Sequence, residues 1–278
     1  MREFSKEHAG KTVANVPETR DREARGSRAL RGDPMSVSSD LQSTKAIPRR
    51  ERLIVALDVP RADQARALVT QLGEAAAFYK VGLELFVASG CFELVEWLVA
   101  NDKRVFVDLK FFDVPETVRG AMRALRGRGV TATTVHGNQA MMAAAAAEKG
   151  EVKLLAVTVL TSLDRGDLDD LGFQCDVERL VLSRARRALE AGCDGVISSG
   201  LEAPLLKREL GERILVVAPG IRPVENRPAD DQKRTVDVAQ AFANGADYVV
   251  VGRPIRQAAD PRAAAERIQA TIASIFPA

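Results

Sequence analysis

A chain of 278 residues, with a net charge of +2 and 46% hydrophobic residues, is long enough to bury one sizeable core. The near-neutral balance gives no electrostatic footing for nucleic acid or an anionic membrane surface, and no apolar run approaches the roughly 20 residues of a membrane helix. Cys91, Cys175 and Cys193 lie far apart with no C-x-x-C pair, so a disulfide framework is not expected and a reducing, cytoplasmic compartment is.

Residues 1–50 are rich in Arg, Ser, Glu and Asp and poor in large apolar side chains, a composition expected to form a disordered extension. They lack the apolar centre of a secretory signal, and the acids Glu3, Glu7, Glu18, Asp21 and Glu23 fit poorly with a transit peptide. Met35 is a second candidate start.

From residue 53, short apolar runs alternate with amphipathic stretches. The runs are "LIVAL" (53–57), "FYKVG" (78–82), "RVFVDL" (104–109), "TATTVH" (131–136), "LLAVTVL" (154–160), "GVISS" (195–199), "ILVVAPG" (214–220) and "DYVVVG" (247–252). Their unbroken Val/Ile/Leu character predicts strands covered on both faces, as in parallel sheets. Helical periodicity follows at 61–73, 91–103, 177–192, 235–245 and 261–275, several stretches ending in Gly. Eight strand–helix units predict a (β/α)₈ TIM barrel spanning residues 51–278 as one domain. A doubly wound sheet is the rival, weakened because "LDVPRAD" rather than G-x-G-x-x-G follows the first strand.

Polar residues gather at the predicted strand ends: Asp58, Lys80, Asp108, Lys110, His136, Thr161, Ser162, Ser198 and Ser199. Any one of them has an ordinary account in a satisfied hydrogen bond. Together at the rim where such barrels carry their chemistry, they argue for a site. In "VFVDLKFFDVPETV" (105–118), Asp108 and Lys110 are two apart and face one side of a strand, while Asp113 follows on the loop. A lysine held by two carboxylates stays protonated, which disfavours nucleophilic roles and suits delivery of a proton to a carbanion. A structural ion-pair cluster is the alternative.

The loops after strands 7 and 8 begin "APGIRP" (218–223) and "GRPI" (252–255). Gly220 and Gly252 permit close backbone approach to an anion and Arg222 and Arg253 add charge, a phosphate-binding pattern. Between them "PVENRPADDQKRT" (223–235) fits either a solvated loop or a lid over a bound phosphate, with Gln232 suited to reach a ligand. The Ala/Met-rich "AMMAAAAAEKG" (140–150) reads as packing, and the two histidines, His8 and His136, lack metal-ligand spacing.

The motifs "LDVP", "YKVG", "DLKFFDVPET", "TVLTSL", "PGIRP", "DQKR" and "YVVVGRPI", in this order from residue 53 to about 275, resemble the orotidine 5′-phosphate decarboxylase family. The resemblance implies removal of the C6 carboxylate of orotidine 5′-monophosphate, giving UMP and CO₂ in the last step of de novo UMP synthesis, with no cofactor and no metal. It assigns Asp58 and Lys80 to the ribose hydroxyls and Asp108, Lys110 and Asp113 to the charged array, with Lys110 the proton donor and Thr117 on the same segment. Thr161 and Ser162 lie by the pyrimidine, and Arg222, Gln232, Gly252 and Arg253 hold the phosphate. It further implies a homodimer in which Asp113 enters the partner's site.

Phe112 and Glu116 stand where many relatives have His and Asn, and "GNQA" follows His136 in place of a small Gly-rich turn. Two alternatives remain. Mg²⁺-dependent sugar-phosphate decarboxylases and hexulose-phosphate synthases share D-x-K-x-x-D but place a carboxylate where Lys80 stands, because the metal needs an oxygen ligand. A non-catalytic nucleotide-binding barrel would keep the phosphate loops and lack part of the array.

Overall fold

The computed structural model describes residues 41–88, 90–222 and 234–277. Most of the expected extension, and Gln232, lie outside the described residues. The strands are β1 (Leu53–Ala56), β2 (Phe78–Gly82), β3 (Arg104–Phe111), β4 (Ala132–Val135), β5 (Lys153–Val157), β6 (Gly195–Ile197), β7 (Leu215–Ala218) and β8 (Tyr248–Val251). Each pairs in parallel with the next, and β1 pairs with β8, so the sheet closes as a TIM barrel.

Helices α1 (Ala62–Leu72), α2 (Leu83–Val87), α3 (Cys91–Ala100), α4 (Pro115–Leu125) and α5 (Gln139–Glu148) accompany the first four strands. α6 (Arg165–Asp170), α7 (Val177–Glu190), α8 (Ala203–Leu210), α9 (Val238–Ala243), α10 (Arg253–Arg256) and α11 (Pro261–Ile275) accompany the rest. Three of them, α5, α7 and α11, begin on side chains that accept otherwise orphaned backbone N–H groups, Asn138, Asp176 and Asp260 respectively. Beyond α7, Gly192 takes φ 88°, the left-handed turn that ends a helix without a Cβ clash.

Two apolar layers follow from the two-residue period of the strands. Side chains facing outward pack against the helices in one large cluster. Those facing inward, among them Ile54, Ala56, Phe78, Phe106, Ala132, Leu155, Val217 and Val250, fill the barrel as a solid plug. At the N-terminal end of the barrel, Asp247 is fully buried and is paired with Lys45 and Lys207, with Ser43 donating to the same carboxylate. Residues 43 and 45, which composition assigns to the extension, therefore belong to the base of the barrel. No helix of the described residues is long and apolar enough to cross a membrane.

Candidate active site

The apolar plug sets the height of the polar layer. Ala56, Phe78, Phe106 and Ala132 face the barrel interior, so the residues two further on, Asp58, Lys80, Asp108 and Thr134, lie just above them on the same side. Asp58, Lys80 and Asp108 form the floor of a cleft of about 440 Å³ at the C-terminal ends of the strands, with Thr134 buried behind them.

On that floor the charges alternate. Lys80 Nζ lies 3.0 Å from Asp58 Oδ1 and 3.6 Å from Asp108 Oδ2. Lys110 Nζ lies 2.9 Å from Asp108 Oδ1. Burial alone lowers the Lys80 pKa, but the neighbouring Asp108 and Asp58 charges outweigh it and the net shift is upward. Burial alone raises the Asp108 pKa, yet the Lys80 and Lys110 charges and hydrogen bonds from Lys110 and Thr134 hold it below the ordinary aspartate value. Both groups are therefore ionised at neutral pH. Of the two lysines here, Lys80 is the one gripped by two carboxylates of this chain, and among the described residues Lys110 pairs with Asp108 alone.

Lys110 has an unusual backbone. Its φ is +51°, and among described non-glycine residues only Asp102 also has a positive φ. β3 and β4 run in register at Phe106–Ala132 and Val107–Thr133, then resume at Phe111–Val135. Between those points β3 spends Asp108, Leu109 and Lys110 where β4 spends only Thr134. The Thr134 hydroxyl serves both acidic and basic sides of the bulge, accepting from the Lys110 backbone N–H at 2.8 Å and donating to Asp108 Oδ1 at 2.9 Å.

The cleft walls carry six more of the expected residues. Thr161 and Ser162 come from the loop after β5, Gly220 and Arg222 from the loop after β7, and Gly252 and Arg253 from the loop after β8. Gly220 adopts φ 75°, a turn that favours glycine. Arg222 is 6% exposed, its stem sunk beneath the rim. Arg256, not expected from sequence, also lines the cleft.

Asp113 and Thr117 do not reach this cleft. Both are exposed, and Asp113 Oδ1 accepts the Val114 backbone N–H at 2.6 Å. His136 packs edge-on against Phe112 at 5.5 Å, and burial together with the Arg184 and Lys110 charges lowers its pKa. Ser198 and Ser199, also expected at the rim, turn to other partners: Ser198 donates to Glu202 and Ser199 to the Arg234 carbonyl.

Arg234 is a second residue that sequence reading passed over. Its guanidinium pairs with Glu202 and donates to the carbonyls of Val159 and Leu160, while its backbone N–H donates to the Thr161 carbonyl. It thereby ties the segment before α9 to the loop bearing Thr161 and Ser162. The signal was the last letter of "DQKR", but Glu202 lies 32 positions upstream and the carbonyls of Val159 and Leu160 lie 75 and 74. The partners of Thr134, in turn, depend on the β3–β4 register.

An eight-stranded barrel with alternating charges on its floor and Gly/Arg loops after β7 and β8 defines a phosphate-handling enzyme of the TIM-barrel class. Residues 51–268 match the model of the orotidine 5′-phosphate decarboxylase / HUMPS family, and the chain belongs to that family. It is 67% identical over 236 residues to an orotidine 5′-phosphate decarboxylase of Methylococcus capsulatus (strain Bath), covering 85% of this chain and 98% of that protein. To the protein of the same description from Xanthomonas campestris pv. campestris (strain 8004) it is 54% identical over 224 residues, 80% of this chain and 92% of the other. Among solved structures, the orotidine 5′-phosphate decarboxylase of Lactobacillus acidophilus superposes with a TM-score of 0.70 at 35% identity, covering 80% of this chain and 99% of that one.

Proposed function

We infer that this chain is an enzyme that decarboxylates orotidine 5′-monophosphate to UMP and CO₂ in pyrimidine biosynthesis. The observation that carries the reading is the alternating row Asp58–Lys80–Asp108–Lys110 in a cleft whose far wall holds the Gly/Arg loops. Loss of CO₂ leaves an electron pair at C6 of a ring with no carbonyl placed to delocalise it. Stabilisation must then come from charge fixed in advance, and Lys110 supplies it on the cleft floor. In this reading Lys110 also delivers the proton that replaces CO₂ at C6. Asp108 holds the Lys110 ammonium in place, and its own charge disfavours the bound carboxylate more than the transition state.

Enzymes lower barriers by roughly 8–23 kcal/mol. A neutral pyrimidine offers few handles, so much of that must be drawn from the ribose and phosphate. We assign Asp58 and Lys80 to the ribose hydroxyls, Thr161 and Ser162 to the pyrimidine, and Arg222, Gln232, Gly252 and Arg253 to the phosphate. The chemistry so described needs no cofactor.

Asp113 and Thr117 fit the same reading only in an assembly. Asp113 stands outside its own chain's cleft, flanked by Phe112 and Val114, which are 65% and 61% exposed. A segment with such apolar neighbours suits burial against a second copy. We propose a cytoplasmic homodimer in which Asp113, with Thr117 beside it, completes the partner's array. The Mg²⁺-dependent alternative is disfavoured by Lys80, whose ammonium holds the place a metal-binding carboxylate would need. Incubation with orotidine 5′-monophosphate, following loss of substrate absorbance with and without EDTA, tests the proposal. EDTA-insensitive turnover supports it; no turnover, or an absolute Mg²⁺ requirement, overturns it.

A further inference from the structure

We infer that Thr134 is a positioning residue for the decarboxylation, its hydroxyl locking the β3 bulge so that Asp108 and Lys110 point at one reacting centre. The inference rests on reading Asp108 and Lys110 as the reacting pair.

The argument starts from backbone geometry. Asp108, Leu109 and Lys110 together span the width that a single residue spans on β4. The surplus would leave β3 amides without ladder partners, a costly state in a buried strand. Lys110 also holds φ 51°, which a non-glycine residue keeps only when its surroundings insist. The Thr134 hydroxyl answers both problems. A hydroxyl has one donor and two acceptor lone pairs, so a single oxygen can take the Lys110 N–H at 2.8 Å and give its proton to Asp108 Oδ1 at 2.9 Å.

The same Oδ1 receives Lys110 Nζ at 2.9 Å. A closed ring results: Thr134 hydroxyl, Asp108 carboxylate, Lys110 ammonium, and back through the Lys110 backbone to Thr134. Thr134 is fully buried, so no water stands ready to replace the hydroxyl. Side chains that act at sub-ångström tolerance need such support, and their unsupported rotamers are lost conformers rather than weaker contacts.

Three substitutions separate the hydroxyl from the shape. Thr134→Val keeps the branched volume and removes both hydrogen bonds. Thr134→Ser keeps the hydroxyl and drops a methyl, and Thr134→Ala drops both. We expect Thr134→Val to lower kcat about 100-fold while UMP inhibition stays within about threefold, because phosphate and ribose contacts are untouched. Thr134→Ser is expected to recover most of kcat. The acid limb of the kcat profile should move to higher pH in Thr134→Val, since Asp108 loses a donor that favours its ionised form. A merely structural role would lower the melting temperature without moving that limb.

Wild-type kcat with an unmoved acid limb in Thr134→Val overturns the inference. If Thr134→Val does not fold, Thr134→Ser and Thr134→Ala decide: equal kcat in the two overturns it, and a large advantage for Ser supports it. Lys110→Ala run alongside distinguishes the premises. Its loss of turnover with an unaffected Thr134→Val leaves Lys110 catalytic and refutes only the role of Thr134. Near-normal turnover in Lys110→Ala refutes the reacting pair and this inference with it.

Discussion

Lys80 reaches Asp108 across two strands, Nζ to Oδ2 at 3.6 Å, although the residue paired with Asp108 in the β2–β3 register is Gly82. The lysine side chain lies over the space that a side chain at position 82 would fill. A Cβ on Gly82 would stand 2.9 Å from Lys80 Nζ and 3.3 Å from Asp58 Oδ1. Gly82→Ala is therefore expected to push Lys80 out of its double grip. The predicted result is a raised KM and a kcat reduced about tenfold or more, with a melting temperature near that of the wild type because the ends of β2 and α2 keep their packing. A Gly82→Ala enzyme with unchanged KM and kcat would show that the lysine yields at no cost.

Lys110 carries the assignment most exposed to refutation. Lys110→Ala removes the positive charge nearest Asp108 Oδ1 and the proposed proton source together. Turnover is expected to fall by at least about 10³-fold, while UMP, which has no carboxylate to lose, still binds through its phosphate and ribose. The measurement is single-turnover decarboxylation beside a UMP titration; near-normal kcat would remove the proton-donor role.

Much of this was legible in the sequence, for definite reasons. The expected β2 at residues 78–82 and α11 at 261–275 match the limits in the structure, α11 starting at Pro261 behind its Asp260 cap. β5 was read as 154–160 and is Lys153–Val157, since the apolar run continues into a loop whose Thr158 and Val159 are buried by neighbouring segments. Period-two reasoning placed Asp108 and Lys110 on one side, and both do line the cleft, although a bulge rather than regular strand geometry brings Lys110 there. Inter-strand register and the long-range grip of Arg234 leave no local pattern. That is why Thr134, Glu202 and Arg234 emerge only in three dimensions.

The phosphate wall gives a contrast between two substrates. Arg253→Ala and, by the same assignment, Gln232→Ala are expected to raise KM for the nucleotide and to lower kcat as well, because remote binding energy is spent on the reacting centre. Orotidine, which lacks the phosphate, should be a very poor substrate and nearly indifferent to either change. Equal fractional losses for nucleotide and nucleoside would contradict a phosphate role.

The charge row also makes a statement about stability. Asp108 has a depressed folded pKa, so its contribution is present above the unfolded value of 3.8 and is lost as pH falls through the lower folded value. Lys80 has a raised folded pKa, so its contribution is present below 10.5 and is lost as pH climbs through the higher folded value. The row as a whole is thus intact from about pH 4 to about pH 10. Subtracting the melting curve of Asp108→Asn from that of the wild type should give a difference that is flat across this window and shrinks on acidification. A difference that grows as pH falls would reverse the sign and refute the account.

The position of Asp113 outside its own cleft allows the sharpest test of shared sites. Lys80 lines the cleft of the chain that carries it, whereas Asp113 is exposed on the segment between β3 and α4. If Asp113 serves in the partner, Lys80→Ala and Asp113→Asn homodimers each carry one defect in every site and should be nearly inactive. A heterodimer of the two is different. The site built on the Lys80→Ala chain receives the altered Asp113 as well and holds both defects; the other site combines a normal Lys80 with a normal Asp113. Mixing the two inactive proteins under conditions shown to exchange subunits is therefore expected to restore activity. With free exchange half the dimers are mixed and each has one sound site in two, so recovery should approach about a quarter of wild type, with a normal KM. Light-scattering mass across a dilution series establishes the exchange independently of turnover. Recovery of nothing despite demonstrated exchange would mean that Asp113 works within its own chain or that the sites are not shared, and the apolar flanks Phe112 and Val114 would then need another partner.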